Sequence, residues 1–376
     1  MKKRIILSLA RMSGHEQDFI QEAFDTNWVV PLGPNVNGFE EDLEKYLGED
    51  KKVVALSSGT ASLHLGLVLL GIEPGDEVIC QSFTFAASAN PIKYLGGTPV
   101  FVDSEKDTWN MDPKLLEEAI VDRLAKTGKL PKAIIPVHLY GMPAKMNEIM
   151  AVANKYNIPV LEDAAEALGS TLDGVECGTF GDLAALSFNG NKIITTSGGG
   201  ALVCKSEEEK KRTMFYATQA RDDAPHYQHS HIGYNYRLSN ICAGIGRGQM
   251  MTLDYHVERR REIQQLYTQL LADKPGIEVM QNPSEEYKSN FWLSCILVDP
   301  KLAGQTREDI RIRLEKDNIE SRPLWKPMHL QPVFADAPFY GTDISENLFD
   351  IGLCLPSGPN LTDEDIERVV SVILNK

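Results

Sequence analysis

Three short segments of the sequence place polar or charged side chains directly after a hydrophobic run. The first is Ser57–Ser62, with the sequence Ser-Ser-Gly-Thr-Ala-Ser, which follows the apolar run Val53–Leu56 and precedes a helical pattern. Small residues let a backbone approach an anion closely, and the first turn of a helix offers unpaired N–H groups. This segment therefore predicts a phosphate site, although a serine or threonine cap on the helix would also explain it.

The second and third segments supply a carboxylate and an amine. Asp163 stands at the end of the run that begins at Pro159, where it could pair with a cationic ring nitrogen or cap a helix. Lys192 lies between the run Ala184–Phe188 and a glycine-rich stretch. Apolar surroundings of this kind allow a lysine to form a Schiff base, whereas the alternative is an ordinary solvated turn.

The elements around these segments decide whether they can meet. From about residue 53 the chain alternates short β-branched runs with helical periods, which predicts strands joined by crossover helices in a largely parallel sheet. The loops that follow parallel strands gather at one edge of the sheet, where such folds bind ligands. An anion cradle, a carboxylate and an amine at that edge match the phosphate, ring nitrogen and aldehyde of pyridoxal 5'-phosphate (PLP).

In its longer motifs the sequence resembles the DegT-type sugar aminotransferases, which belong to the fold type I, aspartate aminotransferase-like superfamily of PLP-dependent enzymes. The resemblance covers nearly the whole chain, and the motifs occur in the order typical of the family. They are Leu32–Pro34, Ser58–Ala61, Phe83–Phe85, Glu162–Ala165, Phe180–Asp182, Ser187–Phe188 with Lys192, Gly233–Asn240 and Met328–Pro332.

The resemblance implies an α/β fold with a mostly parallel seven-stranded sheet flanked by helices and a smaller C-terminal α+β domain. The composition changes near residue 255, where a long helix predicted over Tyr255–Leu271 replaces the alternation of strands and helices. We therefore expect a large PLP-binding α/β domain over residues 1–254 and a small domain over residues 255–376. The charged run Glu258–Glu262 predicts a solvated face of the long helix.

The resemblance also implies the contacts of the cofactor. Lys192 would form the Schiff base, Asp163 would keep the ring nitrogen protonated, and Phe85 would stack on the ring. Glu166 would hydrogen-bond beside the ring. The implied phosphate ligands are Thr60, Ala61 and Ser187, joined by Asn235 from a second subunit. Because Asn235 is useful only if a neighbour delivers it, we expect a homodimer with shared active sites.

Two further residues are similar to positions that border the substrate in the family. For Arg237 the alternative is a structural ion pair, and for His329 it is a loop histidine whose hydrogen bonds are already satisfied.

The residue type at position 192 bears on the reaction. Members of the family that dehydrate sugars carry histidine there, so Lys192 implies transamination. We expect L-glutamate to give its amine to PLP, leaving 2-oxoglutarate and the pyridoxamine phosphate (PMP) form, and a nucleotide-linked keto sugar to collect the amine. The motif around Lys192 is most similar to enzymes that aminate C4 of UDP-4-keto-6-deoxy-N-acetylglucosamine. The alternatives are C3 amination of a 3-keto sugar, a GDP-perosamine-type synthase and a non-catalytic sugar-nucleotide-binding regulator.

Composition excludes several other classes of function. The 38 Lys and Arg against 53 Asp and Glu give a net charge of −15, which disfavours nucleic acid as a partner. The six cysteines are scattered, which fits a reducing cytoplasm. His226, His229 and His231 predict a solvated loop rather than a metal site, and the sequence predicts no membrane span.

Overall fold

The computed structural model describes residues 2–48 and 50–375. Its strands are β1 (Lys52–Leu56), β2 (Glu77–Gln81), β3 (Thr98–Val102), β4 (Ala133–Ile135), β5 (Leu161–Asp163), β6 (Thr171–Leu172), β7 (Val175–Glu176), β8 (Leu183–Ser187), β9 (Gly200–Cys204), β10 (Ile277–Val279), β11 (Tyr287–Lys288), β12 (Ser294–Val298), β13 (Arg322–Pro323), β14 (Phe339–Tyr340) and β15 (Gly352–Leu355). The predicted strands around the three polar segments are therefore present, with ends that differ by one or two residues.

The helices lie between these strands and along both faces of the main sheet. They are α1 (Glu16–Asp25), α2 (Pro34–Leu47), α3 (Gly59–Leu69), α4 (Asn90–Tyr94), α5 (Pro113–Thr127), α6 (Met146–Tyr156), α7 (Glu207–Ala217), α8 (Asn240–Met250), α9 (Leu253–Leu271), α10 (Pro300–Ala303), α11 (Arg307–Lys316), α12 (Ile344–Ile351) and α13 (Asp363–Leu374). Across residues 2–48 and 50–375, none of them combines the length and the apolar character that a bilayer crossing needs.

The main sheet consists of two halves that meet at its centre. One half has the order β1-β9-β8-β5 and the other the order β14-β3-β2-β4. Parallel bridges from Ile134 to Val160 and from Val137 to Asp163 join β4 to β5. Every neighbouring pair is parallel except the two that involve β9. The mostly parallel seven-stranded sheet is thus confirmed, and the two-residue strand β14 extends one edge of it.

Side-chain alternation explains why this sheet is covered on both faces. Val53 of β1 belongs to the core cluster that contains Phe39 of α2, whereas Val54 belongs to the cluster that contains Leu63 of α3. Successive side chains of a strand point to opposite faces, so an unbroken hydrophobic run such as that of β1 requires a helix on each side.

A second sheet lies in the C-terminal third of the chain. Its order is β10-β12-β15-β13, and all its pairs are antiparallel. Its core also includes Ile5 from the N-terminal segment, which bridges to Ile319. Conversely, β14 belongs to the C-terminal third in sequence but pairs with β3 of the main sheet. The domain boundary near residue 254 stays a prediction.

The charged run in α9 is not uniformly solvated, contrary to the prediction. Arg260 is fully buried, whereas Arg259 and Arg261 are partly exposed. The guanidinium of Arg260 donates to the carbonyl oxygens of Trp292 at 2.7 Å and Ser357 at 2.9 Å. Charge alone could not reveal this, because the acceptors lie in segments remote in sequence from α9.

Candidate active site

A cavity of about 800 Å³ opens at the carboxyl ends of β1, β5 and β8. Its wall includes the predicted residues Thr60, Phe85, Asp163, Glu166, Ser187 and Lys192. The cavity size is in the range of sites that hold a cofactor and a small substrate. The crossover topology therefore brings together side chains that the sequence places up to 132 residues apart, from position 60 to position 192.

Lys192 occupies a sheltered position rather than a solvated turn. Its side chain is only 13% exposed, and Nζ lies 3.0 Å from Oε1 of Glu166. On another side Nζ lies 4.1 Å from the centroid of the Trp292 ring, within the range of a cation–π interaction. The amine is thereby held in the cavity by a carboxylate and an aromatic face.

Glu166 is itself fixed by the backbone. Its Oε2 accepts a hydrogen bond from the N–H of Tyr140 at 2.8 Å, while Oε1 faces Lys192. Burial raises the pKa of the Glu166 carboxyl, and the positive charge of Lys192 opposes this increase. The Tyr140 N–H holds the Glu166 carboxylate in place, so the carboxylate can orient the Lys192 amine.

Asp163 ends β5 with its carboxylate at the cavity wall. Burial raises the pKa of this carboxyl, and a 2.6 Å hydrogen bond from Ser88 to Oδ2 is the largest of the effects that lower it. The N–H of Ala165 donates to Oδ1 at 3.2 Å. The Ser88 hydroxyl in turn lies 2.7 Å from the hydroxyl of Thr84, so a Thr84 proton directed to Ser88 leaves the Ser88 proton for Asp163.

The predicted phosphate cradle is formed where α3 begins against the end of β8. A Cβ atom on Gly59 would lie 2.9 Å from Cβ of Ser187, so the two backbones approach as closely as glycine allows. Ser57, Ser58, Gly59 and Thr60 all line the cavity. The start of α3 therefore points its unpaired N–H groups and hydroxyls at a space that fits a phosphate.

The segment Ser57–Thr60 contains the N-cap of α3 and also lines the cavity. Ser58 is the N-cap of α3, and its Oγ accepts the N–H of Ala61 at 3.0 Å. Ala61 is buried and lies behind the cavity wall rather than on it. The Ser58 hydroxyl accepts this N–H in the structure, and the contact of Ala61 with the phosphate stays a prediction.

Phe85 and Asn235 are both exposed to solvent in the single chain. Phe85 lines the cavity but is 58% exposed, and its ring centroid lies 5.5 Å from that of Trp325. Asn235 is exposed and pairs through its backbone with Thr218, away from the cavity wall of its own chain. Its contact with the phosphate of a neighbouring subunit stays a prediction.

The two predicted substrate-border residues are not on the cavity wall of this chain. Arg237 is buried and pairs with Glu40, and it donates to the carbonyl of Ala55 at 3.1 Å. His329 lies 2.7 Å from the Ser82 hydroxyl and 3.1 Å from a Glu346 carboxylate oxygen. Arg237 therefore has an ion-pair partner and His329 has hydrogen-bond partners at both ring nitrogens, and the contacts of the two residues with the substrate stay predictions.

The sequence reasoning missed several residues that shape the cavity. Trp292 and Trp325 supply aromatic walls from the C-terminal part of the chain, and Arg322 lies beside Glu320 near them, 2.9 Å apart. Ser88 was missed although Asp163 depends on it. The tryptophans could have been suspected from their rarity, with only four in the chain, but nothing local connects them to Lys192.

The chemical set on this wall fits PLP. A helix start without a Cβ at Gly59 suits the phosphate, the buried Asp163 suits a protonated ring nitrogen, and the sheltered Lys192 suits the aldehyde. Each of the three groups that the cofactor presents therefore has a matching residue in one cavity.

Comparisons with known proteins identify the family of the chain. The model of the DegT/DnrJ/EryC1/StrS aminotransferase family matches residues 11–374. The chain is 50% identical to EpsN of Bacillus subtilis (strain 168), and the match covers 100% of this chain and 96% of that protein. The name of EpsN describes it as a pyridoxal phosphate-dependent aminotransferase. It is 38% identical to the GDP-perosamine synthase of Caulobacter vibrioides, covering 98% of this chain and 97% of that one.

A solved structure confirms the fold. The crystal structure of a DegT DnrJ EryC1 StrS aminotransferase from Brucella abortus superposes with a TM-score of 0.89 at 31% identity, covering 96% of this chain and 94% of the other. The fold type I architecture expected from the sequence is therefore confirmed. The chain belongs to the DegT/DnrJ/EryC1/StrS aminotransferase family and is a PLP-dependent sugar aminotransferase.

Proposed function

We propose that the chain transfers an amino group from L-glutamate to C4 of a nucleotide-linked 4-keto-6-deoxy sugar, with UDP-4-keto-6-deoxy-N-acetylglucosamine as the acceptor, in the synthesis of a surface polysaccharide or glycan. The observation that carries the proposal is the position of Lys192 Nζ, 3.0 Å from Glu166 and on the same cavity wall as Asp163. All six cysteines are free thiols, which supports a cytoplasmic site of action.

The residues of the chain divide the chemistry among them. Lys192 is placed to take a proton from the substrate carbon and to return a proton to the carbon on the other side of the transferred nitrogen, two bonds away, which is general acid–base catalysis by a positioned amine. Asp163 would hold a negative charge against the ring nitrogen, and hydrogen bonds from Ser88 and Ala165 keep that carboxylate oriented. Bound PLP supplies the electron sink that makes the substrate proton acidic.

The aromatic side chains on the cavity wall also exclude water from the site. Trp292 covers one side of Lys192, and Trp325 lies on the same wall with its ring centroid 6.2 Å from that of Trp292. A dry site strengthens the interaction of Asp163 with a cation and protects a reactive intermediate from hydrolysis. The cofactor site thus needs both the main sheet and the C-terminal segment.

A second acceptor is supported by a specific similarity. The relative from Caulobacter vibrioides is named GDP-perosamine synthase and is similar over almost the full length of both chains. A GDP-linked 4-keto sugar is therefore the competing substrate, and C3 amination of a 3-keto sugar is the next alternative.

The experiment is an amino-transfer assay with UDP-, GDP- and dTDP-linked 3-keto and 4-keto sugars and L-glutamate, which reads both 2-oxoglutarate release and the amino sugar by NMR. We expect turnover with the UDP-linked 4-keto sugar and none with Lys192→Ala. Turnover that is confined to a GDP-linked or 3-keto sugar would contradict the assigned acceptor. Release of 2-oxoglutarate from Lys192→Ala at the wild-type rate would contradict the role of the lysine.

A further inference from the structure

The buried guanidinium of Arg260 is the starting point of a hydrogen-bond network that ends beside Lys192. In addition to the carbonyl oxygens of Trp292 and Ser357, Arg260 donates to the hydroxyl of Ser8 at 3.2 Å. All three acceptors are uncharged. Burial of an arginine without a carboxylate partner costs free energy, so its role is best sought in the groups that it holds in place.

Two of these groups converge on one backbone atom. The Ser8 hydroxyl donates to the carbonyl oxygen of Asn191 at 2.8 Å, and the indole Nε1 of Trp292 donates to the same oxygen at 2.6 Å. Asn191 directly precedes Lys192 in the chain. Arg260 therefore holds Ser8 and Trp292 in place. These two residues in turn hold the carbonyl of the peptide bond between Asn191 and Lys192.

Trp292 acts on Lys192 in a second way. Its ring lies 4.1 Å from Nζ, while its N–H holds the preceding carbonyl. One indole thus fixes both the start and the tip of the lysine side chain, and Arg260 fixes the backbone of that indole.

We propose that Arg260 is a positioning residue, which fixes the peptide before Lys192 through Ser8 and Trp292 and so sets where Nζ meets the cofactor and the substrate carbon. The inference rests on the proposed role of Lys192 in amino transfer. Proton transfer and imine formation are sensitive to misplacement by about 1 Å, which can lower a rate by about 100-fold.

Two variants each remove one hydrogen bond to Asn191, and a third changes Arg260 itself. Ser8→Ala removes one link to Asn191, and Trp292→Phe removes the other while keeping an aromatic ring. Arg260→Lys keeps the charge but replaces a forked donor by a point charge that cannot reach all the acceptors. Arg261→Lys is the matched control, because Arg261 also donates to backbone carbonyls, those of Ser289 at 3.0 Å and Gly169 at 3.1 Å, outside the network.

The first readout needs no sugar. The cofactor-free chain is mixed with PLP, the product is trapped by borohydride, and the rate of labelling at Lys192 is followed by peptide mass spectrometry. We expect labelling to slow about threefold in Ser8→Ala and Trp292→Phe and about tenfold in Arg260→Lys. Ser8→Ala should add little to Arg260→Lys, because both changes break the same path.

The second readout separates positioning from stability. In the full reaction, Arg260→Lys should lower kcat by about tenfold while KM for the keto sugar changes by less than about twofold. Arg261→Lys should keep the wild-type labelling rate and kcat even if its thermal midpoint falls. The labelling rate, kcat and the thermal unfolding midpoint of Arg260→Lys are all measured on the same preparations.

Two results would overturn the positioning role. One is wild-type labelling in folded Ser8→Ala, Trp292→Phe and Arg260→Lys, and the other is an equal slowing in Arg261→Lys. A chain that labels normally at Lys192 but aminates no keto sugar would contradict only the proposed function. The labelling rate therefore tests this inference independently of the acceptor.

Discussion

At the scale of single residues, the charge of Asp163 is set by two opposing effects. Burial raises the pKa of its carboxyl, whereas the hydrogen bond from Ser88 and the N–H of Ala165 lower it. A carboxylate that pairs with a ring nitrogen must stay ionised at the working pH. Burial is the larger effect, and the hydrogen bond from Ser88 is the strongest of those that oppose it.

The change Ser88→Ala tests this balance. It removes the 2.6 Å hydrogen bond that is the largest effect lowering the pKa of Asp163, so the folded pKa of this carboxyl should rise further. A higher pKa means that protonation begins at a higher pH as the solution is acidified. The acidic limb of the kcat/KM profile should therefore move to higher pH.

Thr84→Val is the companion variant for this prediction. It leaves Ser88 in place but removes the 2.7 Å partner that orders its hydroxyl, so the acidic limb should move in the same direction by a smaller amount. An acidic limb that stays at the wild-type pH in Ser88→Ala would show that Asp163 does not control it.

The sequence allowed prediction of some site residues and not of others for a physical reason. Asp163 and Ser187 end β5 and β8, and Lys192 follows β8, so all three lie where a search of strand ends looks. Ser88 meets Asp163 across 75 positions, and Trp292 meets Asn191 across 101. Such contacts depend on which elements pack together, which no local pattern contains.

At the scale of elements, the site depends on how closely α3 approaches the end of β8. Gly59 is the first residue of α3, and a Cβ there would meet Cβ of Ser187 at 2.9 Å. Real Cβ atoms do not come so close, so either α3 or β8 would have to move. The cradle for the phosphate lies between these two elements.

Gly59→Ala should consequently weaken PLP binding although alanine favours a helix by about 1 kcal/mol relative to glycine. We expect the Kd for PLP to rise about tenfold, because displaced N–H groups lose the phosphate. Gly190→Ala is the control, since its Cβ would lie 3.9 Å from the nearest atom, the carbonyl oxygen of Ser197. Fluorescence titration with PLP measures both, and equal affinities would contradict the close approach.

Hydrophobic runs predicted most of the strands because each run is buried on both faces. The runs Val53–Leu56 and Ala184–Phe188 correspond to β1 and β8, whose ends differ from them by at most one residue. The reversed direction of β9 and the addition of β14 to the main sheet were not predictable in this way. Strand direction and edge pairing arise from tertiary contacts, and a two-residue strand has no period to read.

At the scale of the whole molecule, several apolar or cofactor-facing groups point away from the chain's own core. Phe85 is 58% exposed and Tyr94 is 59% exposed, while Asn235 lies outside the cavity wall. Exposed aromatic groups beside a site are typical of a surface that another protein covers. We therefore keep the proposal that a second copy supplies Asn235 to the phosphate.

This arrangement makes a mixing experiment decisive. Lys192→Ala and Asn235→Ala should each be nearly inactive as pure proteins, because every site in a pure variant lacks one of the two groups. In a mixed dimer, one site combines the intact Lys192 of one protomer with the intact Asn235 of the other. Random exchange of subunits should thus restore about a quarter of the wild-type activity, since a two-fold dimer carries two equivalent sites.

The control for this experiment pairs Lys192→Ala with Asp163→Asn. Both residues belong to the same protomer's cavity, so each site of the mixed dimer lacks one of them and no activity should return. Activity is measured after brief partial denaturation and refolding of the mixture, with each variant treated alone for comparison. If the Lys192→Ala and Asn235→Ala mixture stays inactive while size-exclusion chromatography shows exchanged dimers, Asn235 acts within its own chain or has no part in the site.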